Sequence, residues 1–156
     1  MRHTWVTRIG IVALFGGLCL VGYGLAHAEK PIKDRFKVLH NDPTWVLDRT
    51  TGLQWQKTPG GNEPLPWATV SILCTDLGDG SRLPEVKELI SLVDYSKFNP
   101  ALPEGNPFPA VQSVGYWSET PNAASSDLAW RVDFDRGLVD PNGHKIGNYY
   151  NAWCVR

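Results

Sequence analysis

Glycine and proline punctuate this chain so often that few long regular elements fit between them. There are 15 glycines and 12 prolines in 156 residues. Each proline lacks a backbone donor and holds φ fixed, and each glycine weakens a helix or strand interior entropically. A bundle of long helices is therefore disfavoured, and short elements joined by turns and irregular loops are expected. Hydrophobic residues make up 42% of the chain, enough for a packed core. The formal charge is −1, with no basic block, so nucleic acid is not an expected partner.

The N-terminal segment reads as an address. Arg2 and Arg8 stand in and before an uncharged, mostly apolar run, Ile9 to Leu25, and Ala26-His27-Ala28 follows with a small-x-small pattern. Residues 1–28 have the layout of a secretory signal peptide. The alternative, an uncleaved anchor, would use a run near the lower length limit for a membrane span. Leu18 before Cys19 disfavours a lipid attachment there. Beyond residue 28 no apolar run is long enough to cross a membrane, and 13 basic face 16 acidic side chains. Residues 29–35 form a polar lead-in, and residues 36–156 form one domain.

After removal of Cys19, two cysteines remain, Cys74 and Cys154. In an oxidising compartment such a pair is most simply one disulfide. The alternatives are weaker: there is no Cys-x-x-Cys for redox catalysis, and no histidine arrangement that would complete a zinc site.

Periodicity places short elements along the domain. Trp45 to Asp48 and Leu53 to Gln56 read as strands around a turn at Arg49 to Gly52. Trp67 to Leu77 has helical spacing, with Pro66 at its start and Cys74 on its apolar stripe. A second helix begins near Pro84, with Val86, Leu89, Ile90 and Val93 on one face and Glu85 in its first turn. Tyr95 to Val114 is a long irregular excursion with four prolines. Tyr116 to Ser118 resumes a strand, Ala129 to Phe134 alternates, and Tyr149 to Val155 reads as the closing strand. Asp140-Pro141-Asn142-Gly143 reads as a turn.

Several of these segments resemble one family in both wording and order. They are Asp48-Arg49-Thr50-Thr51-Gly52-Leu53-Gln54-Trp55-Gln56-Lys57, Arg82-Leu83-Pro84 through Glu88-Leu89, Leu92-Val93-Asp94, Tyr116-Trp117-Ser118, Ala129 to Gly137, and Cys154-Val155-Arg156. Together they are similar to the C-terminal domain of the Legionella collagen-like adhesin and its bacterial relatives. The resemblance implies an α+β, C-type lectin-like fold, distantly related to sulfatase-modifying factors, with two helices packed on short twisted antiparallel strands and one disulfide. It also implies a helix cysteine joined to the last strand, the placement of Cys74 and Cys154, and a periplasmic or extracellular bacterial location. This chain departs from the pattern at Ser81, where relatives carry tryptophan, and at Glu119, where they carry serine. Both changes are expected to alter a surface. No attached collagen-like module is expected.

Candidate functional residues follow. The partner surface is expected on the Tyr95 to Val114 excursion and on a Glu119 to Asp127 loop, through Tyr95, Asn106, Phe108, Glu119, Asn122, Ser125, Ser126 and Asp127. Trp117 and Trp130 are expected in the core, as are Trp55, Trp67 and Trp153, with Trp45 the one nearest the surface. Arg82 is expected in a structural role, in a salt bridge with a carboxylate such as Glu88 or Asp94 or bonded to backbone carbonyls. Glu119, Asp133 and Asp135 are weak calcium candidates; the expectation is no resident metal or cofactor, because the carboxylates lack the dense spacing of a calcium loop. Only His40 and His144 follow the leader, and no nucleophile, zinc or phosphate-loop motif occurs. The expected function is therefore non-catalytic: a recognition or accessory module for an envelope protein complex or a surface glycan, or a structural subunit of a cell-envelope assembly, with a sulfatase-modifying-factor-like enzyme as the less favoured alternative.

Overall fold

The computed structural model describes residues 32–60 and 63–156. The leader and residues 29–31 of the lead-in lie outside the described residues. The rest of the lead-in is α1 (Ile32–Arg35), a single turn that runs directly into β1 (Phe36–Val38). It belongs to the fold: Arg35 makes a two-pronged ion pair with Asp48, at 3.0 and 2.7 Å, and also donates to the Ser91 carbonyl at 2.7 Å.

Two three-stranded antiparallel sheets make up the β structure. In the first, β1 pairs with β2 (Trp45–Asp48), and β2 with β3 (Gln54–Gln56), with Val46 opposite Trp55. In the second, β4 (Gly115–Asn122), β5 (Ser125–Asp133) and β6 (Leu138–His144) lie in sequence order. The helices α2 (Trp67–Thr75) and α3 (Val86–Leu92) stand between the sheets in the chain. The architecture is thus α+β, with short elements as the glycine and proline content requires.

Tyr150–Arg156 joins the parts. It does not form the continuous closing strand that its alternation suggests, because it meets a different partner every one or two residues. Tyr150 bridges Leu65, Asn151 bridges Tyr116 in parallel, and Val155 bridges both Trp55 and Arg82. The Val155 N–H donates to the Arg82 carbonyl at 3.0 Å, and the Arg156 N–H to the Gln54 carbonyl at 2.9 Å. One peptide segment therefore laces the second sheet to the first.

The core divides along this seam. One cluster surrounds Trp153, which meets Phe108, Phe134, Trp55 and Tyr116 with ring centroids 5.0 to 5.7 Å apart. Its indole N–H donates to the Gln56 carbonyl at 2.8 Å. The other surrounds Trp117 and the disulfide, with Trp45, Val70, Leu83, Ala129 and Ala152. Cys74 on α2 and Cys154 in the seam are bonded, with Cα atoms 5.3 Å apart.

The structure corrects several expectations. Trp45 is buried, because β2 is the central strand of its sheet. Trp130 is only half-buried. The pairing shifts between Ala129 and Arg131, opposite Gly143 and Asp140, and this irregularity breaks the strict alternation on which the core assignment rested. Trp67 is also half-buried, with its indole N–H bonded to the Ser118 carbonyl at 2.8 Å. Asp140 to Gly143 lies inside β6 rather than in a turn. Pro141 is tolerated there because β6 is an edge strand and irregularly paired. Gly143 is needed because a Cβ would stand 2.5 Å from the Trp117 ring.

Two outcomes follow for stability. Trp117→Ala is expected to cost about 3 to 5 kcal/mol in denaturant titration, and Trp130→Ala about 1 to 2 kcal/mol; equal losses would contradict the half-buried placement of Trp130. Removing the disulfide by Cys74→Ala together with Cys154→Ala is expected to cost about 4 kcal/mol, since the bond closes a loop with a sequence separation of 80. Intact mass of the oxidised chain should lie two hydrogens below that of the reduced chain.

Candidate functional site

An open groove lies where the start of α3 faces the outgoing half of β4. Its volume is about 660 Å³, and it is lined by Arg82, Glu85, Val86, Lys87, Glu119, Thr120 and Pro121. Local sequence builds both walls. Pro84 ends the extended run from Arg82, and Glu85 caps α3 in a reciprocal box with Glu88. The opposite wall is held by the Glu119 N–H, which donates to the Pro84 carbonyl at 2.8 Å, and by the Val86 N–H, which donates to the Thr120 hydroxyl at 2.9 Å.

Glu88 is the anchor beneath this groove. It accepts two bonds from the Arg82 guanidinium, at 2.8 and 2.7 Å, and one from the Glu85 N–H at 2.7 Å. Arg82 also donates to the Leu83 carbonyl at 3.0 Å. Of the two acidic partners anticipated for Arg82, Glu88 is therefore the one it takes. Burial opposes the charge on Glu88, but Arg82 and the Glu85 N–H outweigh it and hold its pKa below the ordinary 4.5. The guanidinium is raised in turn, first by its bond to Glu88 and then, against burial, by the fields of Glu88, Glu119 and Glu85.

What remains open to a ligand is a mixed polar rim. Glu119, Glu85 and Lys87 are exposed. Glu119 and Lys87 form no side-chain hydrogen bond or ion pair among the described residues. Thr120 uses its oxygen as an acceptor, which leaves its hydroxyl proton to donate. Val86 and Pro121 add small apolar surfaces. Among the described residues no aromatic ring lines this groove.

The other anticipated surface residues are dispersed. Phe108 is in the core, edge-on to Trp153 and Phe36, because the long excursion folds inward and buries Ala101 and Leu102 as well. Asn106 spends its side chain on the Pro103 carbonyl and the Phe108 N–H. The anticipated Glu119 to Asp127 loop is a hairpin: β4 runs to Asn122 and β5 starts at Ser125. Asn122 bonds the Pro141 carbonyl and the Ala124 N–H, and Ser125 accepts weakly from the Asp127 N–H at 3.4 Å. Ser126 lends its carbonyl to Lys145. Ser126 and Asp127 are exposed at the hairpin end.

Tyr95 is 69% exposed, and its ring lies against Gly137. Phe98, which the sequence reading passed over, is 78% exposed. Its signal was an aromatic residue inside the proline-rich excursion, directly before Asn99-Pro100. Lys87, Thr120 and Pro121 were also missed, since nothing in their own segments shows that α3 and β4 converge. Asp133 pairs with Arg131 at 3.5 Å and Asp135 with Arg136 at 3.2 Å. Among the described residues no three His, Cys, Asp or Glu side chains converge as metal ligands. Ser81, anticipated at a surface, is buried with its hydroxyl unpartnered among the described residues.

The anchor gives a pH prediction. A carboxylate whose folded pKa lies below its unfolded value adds stability that is complete above the unfolded value and is lost as pH falls through the folded one. Glu88→Gln should therefore flatten the decline of stability with pH below about 4.5. Arg82→Ala should cost about 1 to 2 kcal/mol at neutral pH. Stability curves collected by denaturant titration from pH 3 to pH 7 (about one point per half unit) test both.

Residues 44–156, most of the chain, match the Lcl C-terminal domain family. No curated protein and no solved structure matches the chain. The matched region starts after Arg35 and Phe36, although both pack into the same domain. The family points to an accessory or recognition domain of a bacterial protein outside the cytoplasm, a setting compatible with the Cys74–Cys154 disulfide. On the match across β2 to β6, both longer helices and the seam, the chain belongs to the Lcl C-terminal domain family.

Proposed function

We propose that this domain is a non-catalytic recognition module of the bacterial envelope, and that its partner surface is the groove between α3 and β4. The observation that carries this reading is the pair of exposed charged side chains at the groove, Glu119 and Lys87, which no hydrogen bond or ion pair engages among the described residues. Opposite charges at a rim, separated by small apolar surfaces and a free hydroxyl, suit an extended polar segment of a protein partner. The absence of an aromatic wall makes the groove a poor platform for stacking a sugar ring. The long excursion contributes as a scaffold, since its interior is packed beneath the surface.

Exposed Tyr95 and Phe98 support a second reading. Two large rings on a well-packed loop could stack on a glycan. The connection of α2 to the C-terminal segment by a disulfide, beside two small antiparallel sheets, supports a C-type lectin-like architecture, with which that reading agrees. A periplasmic or an extracellular site serves either reading.

Capture from the native envelope and a glycan array separate the two. The unaltered chain is compared with Glu119→Lys and Lys87→Glu on one side and Tyr95→Ala with Phe98→Ala on the other. The groove reading expects one retained protein partner, lost by about tenfold or more in affinity with either charge reversal and unchanged by the aromatic variants. Array binding that vanishes only with the aromatic variants would replace it with the glycan reading.

A further inference from the structure

The groove between α3 and β4 has a direction, set by how its walls are aligned. The Glu119 N–H donates to the Pro84 carbonyl at 2.8 Å, and the Val86 N–H to the Thr120 hydroxyl at 2.9 Å. Glu119 therefore stands beside Pro84 and Glu85, and Thr120 beside Val86. The next residue on each wall, Pro121 and Lys87, lines the far end.

Charge is distributed unequally along that line. Arg82 and Glu88 neutralise each other in a two-pronged pair. Glu85 and Glu119 remain at the first end, both exposed, and the field of each reaches the Arg82 guanidinium. The capping box engages Glu85 with one backbone N–H, which leaves most of its acceptor positions open. Lys87 is the exposed cation at the other end. Between the ends lie Val86 and the Thr120 hydroxyl, which still has a proton to donate. The groove thus has an acidic end, a middle with one apolar and one hydroxyl side chain, and a basic end.

Glu119 and Pro121 are two residues apart on β4, which separates the two ends by about 7 Å. That is also the distance between side chains i and i+2 on one face of an extended peptide. Resting on the groove reading above, we infer that the occupant is an extended protein segment with opposite charges two residues apart. Its Lys or Arg sits between Glu85 and Glu119, with the methylene stem on Val86, and its Asp or Glu meets Lys87. The residue between them turns its side chain away and accepts the Thr120 proton on its carbonyl. A helical segment does not match, because i and i+2 on a helix do not share a face. A uniformly anionic or uniformly cationic polymer matches one end and is repelled by the other.

A spacing series of synthetic peptides tests the inference. Fluorescein-labelled peptides of Ser, Thr and Val carry one Lys and one Glu at positions i and i+1, i+2 or i+3. Each is titrated with the disulfide-bonded chain, up to about 1 mM, and followed by fluorescence anisotropy. The i, i+2 peptide is expected to bind about tenfold more tightly than the other two. Glu119→Lys with Glu85→Gln should move the preference to a peptide with two Glu at that spacing, and Lys87→Glu to one with two Lys. Circular dichroism checks that these variants fold. The milder Glu119→Gln and Lys87→Gln, each expected to weaken the i, i+2 peptide about threefold or more, serve where a reversal does not fold. Affinity that ignores spacing, preferences unmoved by the variants, or no binding over the whole range would overturn the inference. The groove reading fails separately, if a partner captured from the envelope is indifferent to Glu119→Lys and to Lys87→Glu.

Discussion

The structure depends on one short peptide, Tyr150–Arg156, being hydrogen-bonded to both of two sheets that otherwise meet through side-chain packing. Each sheet has only three strands, the lower end of what holds together independently. The seam gives them common hydrogen bonds, through Asn151 to β4 and through Cys154, Val155 and Arg156 to β3 and Arg82. Its side chains alternate in purpose. Trp153 fills the larger core cluster, and Cys154 ties the smaller one covalently to α2. A segment at the end of the chain thus completes contacts begun more than 100 residues earlier, as in the Arg156–Gln54 pair.

Charged groups in this domain serve chiefly as internal clamps. Asp48 is fully buried and is held ionised by Arg35 and the Thr50 N–H against the opposing effect of burial. Arg82 and Glu88 do the same at the start of α3. Such pairs add directional restraint to a fold made of short elements, where each helix or strand alone fixes little. They also explain why the unengaged groups, Glu119 and Lys87, stand out: most other charges near them are already committed.

The long excursion illustrates how function and packing divide within one loop. Its prolines and glycines exclude regular structure, yet Ala101, Leu102 and Phe108 are drawn into the core beside Trp153. Its first residues still offer large rings to a partner, Tyr95 and Phe98. A large apolar residue in an irregular segment is ambiguous on paper, because burial there obeys no period.

The sequence by itself determined the scale and kind of elements, the cysteine pair, the family, and a structural role for Arg82 with Glu88 among its candidate partners. These are local or compositional matters: helix spacing, turn chemistry, and charges six residues apart at a helix start. Only the tertiary structure decided that Trp130 leaves the core while Trp45 enters it, since a single pairing shift in β5 and a central place for β2 are relations between strands. It alone placed Pro141 in an edge strand, turned the closing strand into a seam, and brought Lys87 opposite Glu119. Such juxtapositions are set by how separate segments pack, and no residue's immediate neighbours encode them.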